Sequence, residues 1–252
     1  MIQQAHPDAY VVGFQGMPNQ LGETTHLHRF EQLGGLFSDL HDRGVTHIVM
    51  AGAMSRPDFA PQLLDDFTKS ALPALMAAMT QGDDYLLRHL IALIEGQGFS
   101  VIGAHALLPL TQPAGVLVAQ VPDAVKHDIA RADQVLKTLS PLDVGQGVVV
   151  ENGLVLGIET LQGTDALLSF VASTAPQLRG PNGGVFVKRP KEGQDLRVDM
   201  PTIGPETIEQ VAAAGLSGVV ISPDACVVVD VPQTIERAKR HGIFILVAEA
   251  FA

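Results

Sequence analysis

The chain has 252 residues, of which 46% are hydrophobic and 17% charged, and its formal net charge is −11. This composition excludes a disordered chain, which combines low hydrophobicity with high net charge. The acidic balance argues against general binding to nucleic acid, which needs a basic surface. The single cysteine, Cys226, rules out an intrachain disulfide, and its apolar neighbours indicate a core residue rather than a reactive thiol.

The first part of the chain alternates short apolar runs with helical patterns. Strands are predicted at 10–14, 45–50 and 99–103, and helices are predicted to begin near Phe30, Leu63 and Asp83. Strands that alternate with helices in this way are typical of a parallel sheet covered by helices. The predicted class is therefore α/β, with a Rossmann-like N-terminal domain over residues 1–112.

The second part predicts a mixed α/β domain over residues 122–252. Residues 110–122 contain prolines and glycine and almost no charge, so they are predicted to form the domain linker. Asn152-Gly153 between two apolar runs predicts a tight hairpin with a type I′ turn. Further strands are predicted at 185–188, 219–222, 226–230 and 243–248, and further helices at 124–139, from 165, at 205–214 and at 234–241.

The polar segment 188–204 is the strongest candidate for chemistry. It gathers four of the chain's 16 basic residues within ten positions, namely Lys188, Arg189, Lys191 and Arg197. Three carboxylates stand among them, namely Glu192, Asp195 and Asp199. Basic side chains suit phosphate oxygens, carboxylates suit a hard cation such as Mg²⁺, and the helix that begins at Pro205 offers backbone N–H groups to an anion. A phosphate or metal site and a salt-bridged surface loop both fit this composition.

A second candidate is Gly163-Thr164-Asp165, which lies between a predicted strand and a predicted helix. In open α/β sheets, ligands bind where strands end and helices begin. Taken alone, this position favours the simpler interpretation that Thr164 or Asp165 caps the helix. No apolar run approaches the roughly 18 residues of a membrane span, and the N-terminal residues lack the pattern of a secretory signal. We therefore expect a cytoplasmic protein with at most peripheral membrane contact.

Several segments resemble the Mg²⁺-dependent UDP-2,3-diacylglucosamine pyrophosphatases of lipid A biosynthesis, the family unrelated to the calcineurin-type phosphoesterases. The most specific segment is residues 193–204, Gly-Gln-Asp-Leu-Arg-Val-Asp-Met-Pro-Thr-Ile-Gly. The others occur in the family's order, at 49–57, 82–88, 99–105, 142–146 and 159–166. The resemblance covers the chain from about Tyr10 to its end.

The resemblance implies a two-domain hydrolase that holds its substrate between the domains and releases UMP and 2,3-diacylglucosamine 1-phosphate. It implies that Asp195 and Asp199 hold Mg²⁺ or orient water. It also implies that the negative charge on the diphosphate is neutralised by Lys188, Lys191 and Arg197. Of these, Asp199, Asp195 and Lys188 are the predicted catalytic residues. The remaining predicted substrate contacts are Gly163, Thr164, Asp165, Gln194, Thr202 and Gly204.

Members of this family begin with a strand and a glycine-rich loop, and Tyr10–Phe14 corresponds to their second strand. We therefore expect one βα unit to be missing from the N-terminal domain. The alternative function is a non-catalytic protein that binds a nucleotide or sugar phosphate in the same cleft. The expected partners are a lipid-linked UDP-sugar and, weakly, the inner face of the inner membrane, with no nucleic acid and with a homo-oligomer left open.

Overall fold

The computed structural model describes residues 2–17, 25–52 and 57–249. It divides the chain into two compact units, Met1–Leu108 and Pro109–Ala252. Helices and strands alternate in both units, which confirms the predicted α/β class.

The first unit contains four α-helices and four short strands within its described residues. The helices are α1 (Ile2–Ala5), α2 (Leu33–Asp42), α3 (Asp66–Met79) and α4 (Asp83–Glu95). The strands are β1 (Val12–Phe14), β2 (His26–His28), β3 (His47–Ile48) and β4 (Ser100–Val101). β1 pairs in parallel with β2, and β3 pairs in parallel with β4. The sequence analysis missed β2, because a strand with two histidines in three residues shows no apolar run.

Helix α2 provides most of the first unit's core. Its apolar side chains recur at helical spacing, are buried and pack with Phe99, just before β4; they are Leu33, Leu36, Phe37 and Leu40. Helix α3 begins after Asp65, whose carboxylate accepts the backbone N–H of Thr68 at 2.7 Å and so caps the helix. The helix continues through Pro73, although a proline inside a helix removes one backbone hydrogen bond.

The second unit contains the larger sheet. Its helices are α5 (Lys126–Leu139), α6 (Gly163–Ala172), α7 (Pro205–Ala213) and α8 (Val231–His241). Its strands are β5 (Gly115–Val118), β6 (Gly147–Glu151), β7 (Leu154–Ile158), β8 (Val185–Lys188), β9 (Thr202–Ile203), β10 (Gly218–Ile221), β11 (Val227–Val228) and β12 (Phe244–Val247). Six strands form one sheet in the order β5-β12-β10-β8-β6-β7, and β9 pairs with β11 apart from it.

This sheet is parallel at its centre and antiparallel toward both edges. β10 runs parallel to β8 and β12, whereas β6, β7 and β5 each join an antiparallel neighbour. Side chains of alternate residues point to opposite faces of a strand. Val148 and Val150 accordingly pack with Ile129 of α5, while Val149 and Leu168 of α6 belong to a separate buried cluster that also includes residues of α7 and α8.

The predicted Asn-Gly hairpin between β6 and β7 is confirmed. Asn152 and Gly153 have φ angles of +50° and +75°, the left-handed values that a type I′ turn requires. The turn is also fixed from outside, since the Asp128 carboxylate accepts the backbone N–H groups of Asn152 at 3.0 Å and Gly153 at 2.6 Å. This side chain joins α5 to the hairpin.

The predicted linker at 110–122 is wrong in part, because it contains β5, an edge strand of the sheet. The same segment is held further by its carbonyl groups, since Leu110 O accepts the N–H of Val228 at 2.7 Å and Gln112 O that of Asp224 at 3.0 Å. Prolines and low charge suggested a linker, yet an edge strand tolerates proline beside it. The domain limits 1–112 and 122–252 stay predictions.

Candidate functional site

One end of the six-stranded sheet gathers several of the predicted polar residues. β8 ends at Lys188, which is paired in register with Gly147, the first residue of the antiparallel strand β6. Glu159 follows the end of β7, and its backbone N–H donates to the carbonyl of Gly147 at 2.8 Å. The sheet therefore places Lys188 and Glu159 on either side of the start of β6.

Lys188 lies in an enclosed position, with 8% of its side chain exposed. Its Nζ donates to Thr164 Oγ1 at 2.6 Å, and this hydroxyl donates in turn to Glu159 Oε1 at 3.0 Å. Nζ and Oε1 are 3.6 Å apart, which is an ion pair without a direct hydrogen bond. The structure thus brings together two predicted residues, Lys188 and Thr164, and adds a carboxylate that the sequence analysis did not select.

Asp199 is a half-buried carboxylate in contact with two side-chain amides. Its Oδ2 accepts Nε2 of Gln146 at 3.0 Å and also Nε2 of Gln194. The Gln194 Oε1 atom accepts the backbone N–H of Lys191 at 2.8 Å, which folds the polar loop back on itself. The predicted residues Asp199 and Gln194 are therefore in contact, and Gln146 joins them from the residue before β6.

Asp195 forms a two-point ion pair with Arg197. Nη2 of Arg197 is 2.7 Å from Oδ2, Nε is 3.0 Å from Oδ1, and the backbone N–H of Arg197 donates to the same carboxylate at 3.1 Å. Such bidentate pairs are strong and fix the guanidinium in one plane. Arg197 and Asp195 therefore neutralise much of each other's charge, which the sequence pattern alone does not reveal.

Lys191 is paired across the loop with Asp143, and 12% of its side chain is exposed. Asp143 precedes β6 and has a left-handed φ of +55°. The ammonium of Lys191 is thus held at the base of the loop, as the ammonium of Lys188 is held at the end of β8.

Arg189 is a structural residue, although its place in the basic cluster suggested contact with phosphate. Its side chain is 9% exposed and pairs with the buried carboxylate of Asp133 on α5. Its Nη1 atom donates to Ala248 O at 2.7 Å and to Ser222 Oγ at 3.1 Å. The guanidinium therefore ties the base of the polar loop to α5 and to the segment after β12.

The other predicted contacts lie at helix starts or on β9. Gly163 begins α6 with φ of +81°, and Asp165 is exposed in the first turn of that helix. Thr202 Oγ1 donates to Met200 O at 3.1 Å, and the backbone N–H of Gly204 donates to Thr207 Oγ1 at 3.2 Å at the start of α7. Among the predicted contacts at helix starts and on β9, Thr164 is the residue that contacts Lys188.

A cation site is not preformed within the ranges that the structure describes, since they contain no cluster of three or more His, Cys, Asp or Glu arranged to hold a metal. Mg²⁺ commonly uses only one or two carboxylates together with substrate phosphates. Asp199 offers a carboxylate for this role, and the side-chain amides of Gln146 and Gln194, which contact it, carry oxygens that can turn toward a cation. Asp195 fits it less well, because both its oxygens face Arg197.

Three residues of this region were missed as individual candidates: Asp143, Gln146 and Glu159. Gln146 directly precedes β6 and Glu159 directly follows β7, whereas Asp143 lies in the segment that leads into β6. That position was the available signal, because polar residues at strand ends of α/β sheets are typical ligand contacts. The prediction for Cys226 is confirmed, since this residue is buried, and burial raises the pKa of its thiol to about 12.

Comparisons with known proteins agree with this architecture. Residues 1–111 match the family model described as the LpxI N-terminal domain, and residues 113–246 match the one described as the LpxI C-terminal domain. The UDP-2,3-diacylglucosamine pyrophosphatase LpxI of Caulobacter vibrioides is 40% identical over 221 residues, which cover 85% of this chain and 79% of that protein. The chain therefore belongs to the LpxI family.

Proposed function

We propose that this chain hydrolyses the pyrophosphate bond of UDP-2,3-diacylglucosamine to UMP and 2,3-diacylglucosamine 1-phosphate, a step of lipid A biosynthesis. The observation that carries the proposal is the 40% identity, over 85% of the chain, to a relative that bears this activity in its name. The polar loop supports it, because Lys188, Lys191 and Asp199 combine cationic groups for a diphosphate with a carboxylate for a cation or water.

The chemistry requires water to attack one phosphorus while the bond from that phosphorus to the bridging oxygen breaks. The bridging oxygen leaves with the bond's electron pair and becomes part of a phosphate monoester. Positive groups lower the energy of this charged transition state, because they are already oriented in the folded site. Lys188 suits this task best, since its ammonium is enclosed and its position is fixed by Thr164.

We propose that the cofactor is Mg²⁺ or another divalent cation. Asp199 is the principal proposed ligand of this cation, and Asp195 is the second. Asp195 would have to release Arg197 before it could bind the cation. A bound divalent cation supplies positive charge to phosphate oxygens and helps to align them. Two of the contacts of Asp199 come from the amides of Gln146 and Gln194, which can rotate to admit a cation.

The remaining proposed substrate contacts follow from the same end of the sheet. The first turn of α6 places Gly163, Thr164 and Asp165 at a helix start, although the backbone N–H of Gly163 itself donates to Thr160 O at 2.9 Å. The other proposed contacts are Lys191, Gln194, Arg197, Thr202 and Gly204. Arg197 would contribute with the part of its charge that Asp195 does not neutralise.

We also propose weak, peripheral contact with the inner face of the inner membrane, because the substrate carries two acyl chains. Within the part of the chain that the structure describes, no helix has both the length and the apolar character to cross a bilayer. Large apolar side chains are exposed on the second unit, including Leu161 at 84%, Phe170 at 64% and Leu154 at 64%. A homo-oligomer stays a prediction, which light scattering after size-exclusion chromatography would test.

The decisive experiment is incubation of the purified chain with UDP-2,3-diacylglucosamine and Mg²⁺, followed by measurement of UMP. Lys188→Met and Asp199→Asn should each remove most of the activity. The matched controls are Lys239→Met and Asp123→Asn, both exposed and both in the second unit, and they should behave as wild type. Binding of the substrate without release of UMP would instead favour the non-catalytic binding protein.

A further inference from the structure

We propose that Glu159 is a positioning residue, which holds the Lys188 ammonium in place for the reaction through the hydroxyl of Thr164. This inference rests on the proposed function, because it assigns the residue that orients one of the proposed catalytic groups. Glu159 itself need not touch the substrate, since it acts on Lys188.

The three side chains form a hydrogen-bond chain with a fixed direction. An ammonium can only donate and a carboxylate can only accept, whereas a hydroxyl can do both. Lys188 Nζ donates to Thr164 Oγ1 at 2.6 Å, and Thr164 Oγ1 donates to Glu159 Oε1 at 3.0 Å. The carboxylate therefore fixes the hydroxyl proton, and the hydroxyl lone pair fixes one N–H of the ammonium.

The carboxylate does not take up the ammonium directly. Glu159 Oε1 and Lys188 Nζ are 3.6 Å apart, beyond hydrogen-bond distance. Among the described residues Nζ makes one hydrogen bond, the one to Thr164, although an ammonium has three N–H groups. The arrangement compensates the buried charge of Lys188 and leaves N–H groups for a phosphate oxygen.

The second carboxylate oxygen of Glu159 gives independent evidence that this side chain is held in its position at a cost in free energy. Oε2 is buried and has no hydrogen-bond partner within the described chain. Burial of an unpaired carboxylate oxygen is unfavourable, so this position of Glu159 requires an explanation. A carboxylate that served only to neutralise Lys188 would be expected to contact Nζ directly.

The neighbouring backbone is also adapted to Glu159. A Cβ atom on Gly147 would lie 2.5 Å from Oε2, and a Cβ atom on Gly145 would lie 1.9 Å from the Glu159 carbonyl oxygen. Gly145 has a left-handed φ of +51°, a conformation that glycine adopts without strain. Two glycines therefore make the space in which Glu159 approaches Lys188.

A double-mutant cycle on kcat tests the proposal. Glu159→Gln should lower kcat roughly 10- to 100-fold with a much smaller change in KM, because misplacement of a catalytic group by a fraction of an ångström acts mainly on the transition state. In a Lys188→Met background, Glu159→Gln should have almost no further effect on kcat. Independent, multiplying losses in the double variant would overturn the proposal.

Thr164 offers a second route that avoids any change at Glu159. Thr164→Ser keeps the hydroxyl and should keep most of kcat, whereas Thr164→Val keeps the shape and should lose kcat as Glu159→Gln does. Glu151→Gln is the matched structural control, because Glu151 is a buried carboxylate in the same sheet, paired with Arg179 at 2.7 Å. It should lower the melting temperature and leave kcat unchanged; equal activity of Thr164→Val and Thr164→Ser would contradict the proposal.

Failure of the positioning role can be separated from failure of the proposed function. If the wild type binds UDP-2,3-diacylglucosamine without releasing UMP, the proposed hydrolysis is refuted. The same double-mutant cycle is then carried out with the dissociation constant of that lipid as the measured quantity. Non-additive losses of binding free energy at Glu159 and Lys188 would support the coupling, and additive losses would overturn it. Absence of both binding and hydrolysis in the wild type would overturn both proposals.

Discussion

Replacing Gly147 with alanine should disturb the folding core and the site together. Gly147 is the first residue of β6, a strand that is buried along its whole length. A Cβ atom there would lie 2.5 Å from Glu159 Oε2, 2.8 Å from Phe186 Cε2 and 3.2 Å from Phe186 Cζ. Favourable contacts of carbon atoms lie at about 3.5–4.0 Å, so the carboxylate and the ring must both move by several tenths of an ångström.

The expected cost in stability follows from these contacts. Overpacking a well-packed core costs about 1–3 kcal/mol, and Phe186 is fully buried and has little room to shift. Replacement of glycine by alanine returns about 0.4–1 kcal/mol by restricting the unfolded chain. A net loss of about 1–2 kcal/mol corresponds to a decrease in Tm of about 2–8 °C for a protein of this size.

The assay combines thermal unfolding, followed by circular dichroism, with release of UMP from the proposed substrate. Gly147→Ala should lower both Tm and kcat, because the displaced carboxylate no longer orients Thr164 and Lys188. Gly218→Ala is the control, since its Cβ would meet the Phe244 ring at 2.2 Å, at the opposite end of the sheet. The reasoning is refuted if Gly147→Ala keeps the wild-type Tm and kcat, or if Gly218→Ala loses kcat as strongly.

Four further predictions concern the loop and the core around it. Asp199→Asn should lower kcat about 100-fold or more and lower stability by about 1 kcal/mol, because the hydrogen bonds from Gln146 and Gln194 are weakened; turnover near the wild-type value would remove Asp199 from the site. Excess EDTA should stop hydrolysis and added Mg²⁺ should restore it, so full activity in EDTA would exclude the proposed cofactor. Asp133→Asn leaves the buried Arg189 guanidinium without its carboxylate and should cost about 3–5 kcal/mol in urea denaturation; a cost below about 1 kcal/mol would contradict the structural role. Burial raises the pKa of Cys226 to about 12, so iodoacetamide at pH 8 should label the unfolded chain only, and rapid labelling of the native protein would be inconsistent with this.

The sequence predicted those elements whose signals are local. The apolar spacing of α2 and the Asn152-Gly153 turn depend on neighbouring residues, and both appear in the structure. The strand β5 was missed because its sheet partner, β12, is more than a hundred residues away and nothing in its own composition reports the pairing. Edge strands of this kind need few apolar residues, and Val116 is indeed half exposed.

The candidate site shows the same division. Thr164 and Lys188 could be selected because they stand at a helix start and in a basic cluster. The contrast between Lys188 and Arg189 could not be predicted, because it depends on which face of the sheet each side chain reaches. Arg189 reaches Asp133, 56 residues earlier in the chain, and so becomes part of the core. Glu159 acquires its importance only through the fold, which brings it to the end of β8.

The position of β12 within the sheet has a consequence for the order in which the second unit can assemble during synthesis. β12 lies between β5 and β10 in the sheet. β5 is the first strand of the second unit to be synthesised, and it has no sheet partner until residues 244–247 have left the ribosome. At about 5–20 residues per second, this delay is on the order of ten seconds. β6, β7 and α5 can meet much earlier, since the Asn152-Gly153 turn and Asp128 join them locally. A nascent chain that stops before β12 therefore exposes two strand edges at once, and a chaperone would be expected to bind such an intermediate until the last strand closes the sheet.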